Sequence, residues 1–61
     1  MKEWLNKKVK IVFQDGYKVS VVKGEIINLY LDQNVLELLC FNNNKKLLIG
    51  ILKIHKIEEE L

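Results

Sequence analysis

Proline, arginine, alanine and threonine are absent from this chain of 61 residues, and cysteine, histidine, serine and tryptophan occur once each. Each shortage excludes something. With Cys40 alone, no intrachain disulfide can form, and no four-ligand cysteine site can support a small core with zinc. His55 and Ser20 are single representatives with no motif joining them, so the sequence offers no nucleophile and base pair. Gly16, Gly24 and Gly50 stand apart from one another, which leaves no glycine-rich loop for phosphates. Without arginine, the planar fork that reads base edges or clamps phosphates is missing. The longest apolar run, Leu47 to Leu52, is far short of the roughly 20 residues that a membrane-spanning helix needs. Met1-Lys2-Glu3-Trp4 runs directly into charged sequence and lacks the pattern of a secretory leader. These absences lead to the expectation of a cytoplasmic, non-enzymatic protein with no catalytic residues, metal or cofactor and no membrane partner.

Lysine supplies all ten basic side chains, against eight carboxylates, for a net charge of +2. Residues 1–23 hold six lysines and two acids, residues 24–44 hold three acids and no lysine, and residues 45–61 hold four lysines and three acids. Lysine attracts phosphates as a point charge without specifying a base, so the basic first third suits weakly selective contact with a nucleic-acid backbone. The composition, rich in leucine, lysine, isoleucine, valine and asparagine, is what an AT-rich genome encodes. A low-GC bacterium, its phage or a plasmid is the expected source.

The length fits one domain over residues 1–61. Met1 to Asn6 reads as a short helical turn or lead-in. From Lys8 the pattern alternates, with Val9, Ile11 and Phe13 on one face and Lys8, Lys10 and Gln14 on the other, the period of a half-buried strand. Asp15-Gly16 is a hairpin signal, because glycine accepts the positive φ of tight turns. The pattern predicts strands over Lys8–Gln14, Tyr17–Leu31, Val35–Phe41 and Leu47–Lys53, with a short last piece carrying Ile54 and Ile57. Gly24 falls inside the second strand, where a glycine marks a bend or bulge. Shared parity along the strands predicts a core of Val9, Ile11, Phe13, Val21, Ile27 and Leu29.

Asn34 followed by Glu37 also matches a helix capping box, and Val35, Leu36, Leu38 and Leu39 fit two helical turns, so a short helix over residues 34–41 competes with the strand. Read as strands, Val35–Phe41 and Leu47–Leu52 carry large apolar side chains on both faces. A domain of this size has little interior in which to hide a two-sided strand. Leu36, Leu38, Leu47, Ile49 and Ile51 are therefore expected at an interface between copies of the chain.

Four or five short strands separated by tight turns, one of them bent, suggest an all-β, five-stranded antiparallel sheet curled into a small barrel. Over residues 4–57 the chain resembles the Sm-like and SH3-like small β-barrels. A leading segment precedes the alternation Val9 to Gly16, the glycine-bent strand Gly24-Glu25-Ile26-Ile27 follows, and Asn34 comes ten positions after Gly24, the spacing of the first Sm motif. Leu48-Ile49-Gly50 resembles the second motif. Seven residues separate Gly16 from Gly24 where the family has about four, Tyr30 stands where its aspartate is expected, and Ile49 replaces its basic residue. The resemblance thus implies the fold and not the family's uridine pocket. The resulting expectation is an oligomeric RNA-binding module using Lys7, Lys8, Lys10, Tyr17, Tyr30, Asn34, Lys45 and Lys46. Two alternatives stand beside it: an oligomer that binds a small nucleotide, such as a phage-encoded inhibitor sequestering a signal of host defence, and a protein-interaction module that captures a partner strand at a sheet edge.

Overall fold

A computed structural model describes residues 1–60 and contains one antiparallel sheet of five strands. A 3-10 turn over Lys2–Trp4 precedes β1 (Lys8–Asp15), β2 (Lys18–Tyr30), β3 (Val35–Cys40), β4 (Lys46–Gly50) and β5 (Ile54–Glu59). Further 3-10 turns occupy Leu31–Gln33 and Ile51–Lys53. The sheet order is β4-β3-β2-β1-β5. Among the described residues no helix is long and apolar enough to cross a membrane.

Val35–Cys40 is a strand between turns at Asn34 and Phe41, so the helical alternative over residues 34–41 fails. The apolar set Leu36, Leu38 and Cys40 alternates with Val35, Glu37 and Leu39, which is the period of a strand with one buried face. Asn34 takes the left-handed conformation (φ 54°) that closes the turn before β3. The strand expected over Leu47–Lys53 ends at Gly50, where the backbone enters the Ile51–Lys53 turn.

The 13-residue β2 joins two half-sheets. Its first part pairs with β1, from Asp15 opposite Lys18 to Lys8 opposite Glu25. Its second part pairs with β3, from Gly24 opposite Cys40 to Tyr30 opposite Val35. Gly24 lies in both ladders, opposite Val9 on one side and Cys40 on the other. Val9, Ile11, Phe13, Ile26, Leu36, Leu38, Cys40 and Ile49 form one buried cluster drawn from β1 to β4. Ile11 and Leu38 are wholly buried. A single flat sheet cannot cover its own face, so the two halves of this sheet fold toward each other around that cluster. Among the described residues β4 and β5 share no ladder, and the sheet is not closed.

Val9, Ile11 and Phe13 are core as expected, and Leu29 packs against the core while half-buried. Val21 and Ile27 are corrected. Val21 is 55% exposed, because Val22, Gly24 and Ile26 are the inward residues of β2. The register shifts between Ile26 and Asn28, so Ile27 is an extra residue that returns Leu29 to the inner face. Leu36 and Leu38 at 0% exposure, and Ile49 at 2%, fill the interior of one chain, which corrects their placement at an outer interface. Leu47 and Ile51 are half-buried and pack against the same core. The apolar groups left outside are instead their neighbours Leu48, 62% exposed, and Leu52, 85% exposed.

Candidate binding surface

The expected ligand-binding residues fall in separate places. Lys7, Lys8 and Lys10 lie at the start of β1, and Tyr17 projects fully exposed from the β1–β2 turn. Tyr30 and Asn34 flank the turn into β3, and Lys45 and Lys46 lead into β4. Register joins two of these groups. Lys46 opposes Leu39, Leu39 opposes Glu25, and Glu25 opposes Lys8, forming one row across the outer face of four strands. At about 4.8 Å per strand, Lys46 and Lys8 stand roughly 14 Å apart in that row.

Carboxylates of β5 and the segment after it meet several of these lysines. Lys7 Nζ lies 3.4 Å from Glu59 and 6.0 Å from the centre of the Trp4 ring. Lys23 reaches Glu60 at 3.2 Å, and Lys10 stands opposite both Lys23 and Glu58. Lys56 sits 3.0 Å from Glu58 and, through that hydrogen bond and its charge, holds the Glu58 carboxyl below its ordinary range. The Met1 ammonium does the same to Glu3, at 2.9 Å. All these pairs are largely exposed and add little stability. They do offset the basic first third of the chain, so the lysines of β1 form a mixed-charge face and not a basic rim. Among the described residues, Lys8, Lys45 and Lys46 make no ion pair.

The aromatic and amide residues are held by other means. Tyr30 donates to Glu37 Oε1 at 3.5 Å, where the Asn28 side chain also donates at 2.8 Å, so the carboxylate is pinned on the outer face. Asn34 is used through its backbone: its carbonyl accepts the Ile51 N–H at 2.8 Å, and its own N–H donates to Leu31. Cys40 is buried in the core cluster. His55 is exposed, with Nε2 3.0 Å from Gln14 Oε1, while the Gln14 amide donates to the carbonyls of Gly16 and Lys18 and braces the hairpin.

Strand edges are a feature that residue types alone did not reveal. The outer sides of β4 and β5 end the sheet. A third free edge arises because β3 covers only the second part of β2. Ile26 exchanges backbone hydrogen bonds with Asn6 and Lys7 on the β1 side, whereas the Lys23 carbonyl accepts the Phe41 N–H on the β3 side. Both backbone groups of a strand residue point the same way and alternate along the chain. Val19, Val21 and Lys23 therefore direct their N–H and C=O groups away from β1, and among the described residues no strand lies beyond Val19 or Val21. Where β3 turns away, Val21, Val22, Lys23, Phe41 and Asn42 line a depression of about 440 Å³. Comparison with known proteins yields no match, whether to a protein-family model, a curated protein or a solved structure.

Proposed function

We propose that the chain is a non-enzymatic binding module that works as a homo-oligomer, its curled sheet approximating a small barrel of the Sm-like and SH3-like kind. One observation carries the reading: the two edges that end the sheet are complementary in charge. β4 opens at Lys46, directly after Lys45, whereas β5 ends in Glu58-Glu59 with Glu60 next in the chain. An antiparallel approach of β4 to the β5 of another copy sets the lysines beside the glutamates. Pairing unlike edges head to tail produces a ring when the rotation closes. It also removes two exposed edges that would otherwise invite unspecific aggregation. Light scattering and native mass spectrometry at micromolar concentration test this. A discrete oligomer is expected for the native chain, and a folded monomer for the double variant Lys45→Glu, Lys46→Glu. A native monomer, or an oligomer indifferent to those changes, refutes it.

A weakly selective RNA contact is the second reading, and Lys8 and Lys46 on one outer row favour it. Repeated around an oligomer, such rows multiply a weak single-site affinity. Lysines without arginine neutralise phosphates and leave the bases unread, so this binding falls steeply with salt.

A further inference from the structure

We infer that the depression where β3 leaves β2 is a seat for one nucleotide, within single-stranded RNA or free, with its base against Phe41 and its phosphate on Lys10 and Lys23. The seat rests on the RNA contact proposed above and gives it a place. Two lysines define the phosphate end. Lys10 and Lys23 are direct cross-strand partners, and both lie on the outer face, where they alternate with the inward residues of their strands. The Glu60 N–H donates to the Lys8 carbonyl, so the even residues of β1 turn their backbone groups toward β5. Lys10 and Lys23 thus share no backbone hydrogen bond and form the closer kind of pair, about 4.5 Å between Cα atoms. Like charges directly opposite each other destabilise a ladder, and an anion between them removes the repulsion. Among the described residues Lys10 makes no ion pair; its partner on β5, Glu58, is engaged by Lys56 at 3.0 Å. Glu60 reaches Lys23 at 3.2 Å, but both side chains are open to water, and a pair of that kind is weak enough for a phosphate to displace the carboxylate.

The depression supplies the other end. Its volume of about 440 Å³ lies within the range of small-ligand pockets, about 300–1,000 Å³. Phe41, 48% exposed, gives it an aromatic wall, and Asn42 adds a side-chain amide. Val21 turns its N–H and C=O toward the same side, where no strand receives them. Every base has a flat π face and, on its Watson–Crick edge, a donor beside an acceptor, so these groups hold a base without selecting a sequence. From the strand position that β3 vacates to the midline between β1 and β2 is one and a half strand spacings, about 7 Å, which a ribose bridges between base and phosphate. Neither rival occupant answers both ends. A second copy paired along this edge presents Lys18–Lys23, a stretch with no carboxylate, to the two lysines. A strand of acidic and aliphatic residues meets the lysines without a ring to lay on Phe41.

The test uses the whole chain, isotope-labelled, titrated with adenosine 5′-monophosphate and, separately, with a short oligoadenylate. Saturable shifts are expected at the amides of Val21, Lys23, Phe41 and Asn42 and at the Lys10 and Lys23 ammonium groups. Shifts with the monophosphate assign the free nucleotide as a ligand, and shifts with the oligoadenylate alone assign RNA. Adenosine, which lacks the phosphate, should bind at least about tenfold more weakly. Phe41→Ser, outside any strand, should weaken binding about tenfold and leave the remaining spectrum in place. Lys10→Gln and Lys23→Gln should each weaken it severalfold. Glu60→Gln removes the competing carboxylate and should tighten binding severalfold, whereas Asp32→Asn, the same change of charge in the turn between β2 and β3, should not. Oligoadenylate that shifts Lys8 and Lys46 but neither Phe41 nor Lys23 overturns the seat and leaves the RNA contact standing. No shift with either ligand at millimolar concentration overturns both. Equal tightening by Asp32→Asn, equal binding of a blocked peptide Glu-Val-Glu-Leu-Glu, or shifts at Val19 and Val21 that depend on protein concentration alone each overturn the seat as well.

Discussion

Gly24→Ala probes the point at which β2 passes from one half-sheet to the other. A Cβ on Gly24 would overlap the Leu39 carbonyl oxygen and lie 2.9 Å from both Leu38 Cγ and the Leu39 carbonyl carbon. None of these is the tip of a flexible side chain, and Leu39 is tied into ladders with both Glu25 and Lys46. Relief therefore requires the backbone of β3 to shift, which puts the cost near the top of the about 1–3 kcal/mol typical of overpacking. Alanine also restricts the unfolded chain and offsets about 0.4–1 kcal/mol of this. The net loss is about 2 kcal/mol, which at about 4–8 °C per kcal/mol lowers the melting temperature by about 8–16 °C. For 61 residues at about 0.05–0.15 kcal/mol each, the whole domain is held by about 3–9 kcal/mol, so the change is large. Gly50→Ala is the control: its φ is −66°, and its nearest new neighbour is the Lys53 side chain at 3.7 Å. It should be neutral or stabilising by up to about 1 kcal/mol. Urea unfolding of both variants, followed by fluorescence of the single Trp4 at fixed protein concentration, gives the comparison. A loss below about 0.5 kcal/mol for Gly24→Ala, or an equal loss for Gly50→Ala, refutes the account, because the overpacking range starts at about 1 kcal/mol.

Leu38→Ala should cost about 2–5 kcal/mol, a large share of the whole stability, since Leu38 is interior; a monomer whose urea midpoint is unchanged would return it to an interface. Glu58 should titrate below 4.5 in the folded chain. Its contribution to stability is complete above that value and disappears as pH falls through the lower folded pKa. Lys56→Gln should move the midpoint, read by NMR, back toward 4.5, and no movement would show that the ion pair is not formed in solution. Replacing Lys8, Lys45 and Lys46 by glutamine should weaken single-stranded RNA binding by a similar factor for every sequence. It should also flatten the salt dependence, by about 0.7 in the logarithmic slope for each phosphate that is no longer neutralised. Sequence-dependent effects in a panel of oligonucleotides would contradict it.

The strands and turns were legible because β1 alternates cleanly and Asp15-Gly16 marks its hairpin. Faces were harder. On β2, Ile26 and Ile27 are adjacent and both aliphatic, so the extra residue at Ile27 leaves no trace in the apolar pattern, and parity read backward from Leu29 places Val21 on the wrong side. On β3 the signal lies in one carboxylate. Glu37 belongs to the set Val35, Glu37, Leu39, and a charge with that parity marks the outer face, leaving Leu36 and Leu38 inside. Lys46 marks Leu48 as outward in the same way. On β5 the three-residue spacing of Ile54 and Ile57 reflects a register shift around His55. The free edge at Val19 and Val21 had no sequence signature, because it depends on how far β3 reaches along β2, a property of the turn after Cys40 and not of the edge residues.

The ladder between β1 and β5 joins Val9 to Glu59 across most of the chain, whereas β1 to β4 form a meander of neighbours. Closing so long a loop carries an entropic cost that local hairpins avoid, and β5 brings no fully buried side chain in return, only the half-buried Ile54 and Ile57. The meander is therefore expected to fold first and β5 to dock onto it last. In the native protein β5 is also the element expected to open most readily, and its amide hydrogens should exchange well before global unfolding. Each such opening bares the far edge of β1 and releases Glu59 from Lys7, so the outer face becomes transiently more basic without any change of sequence or pH.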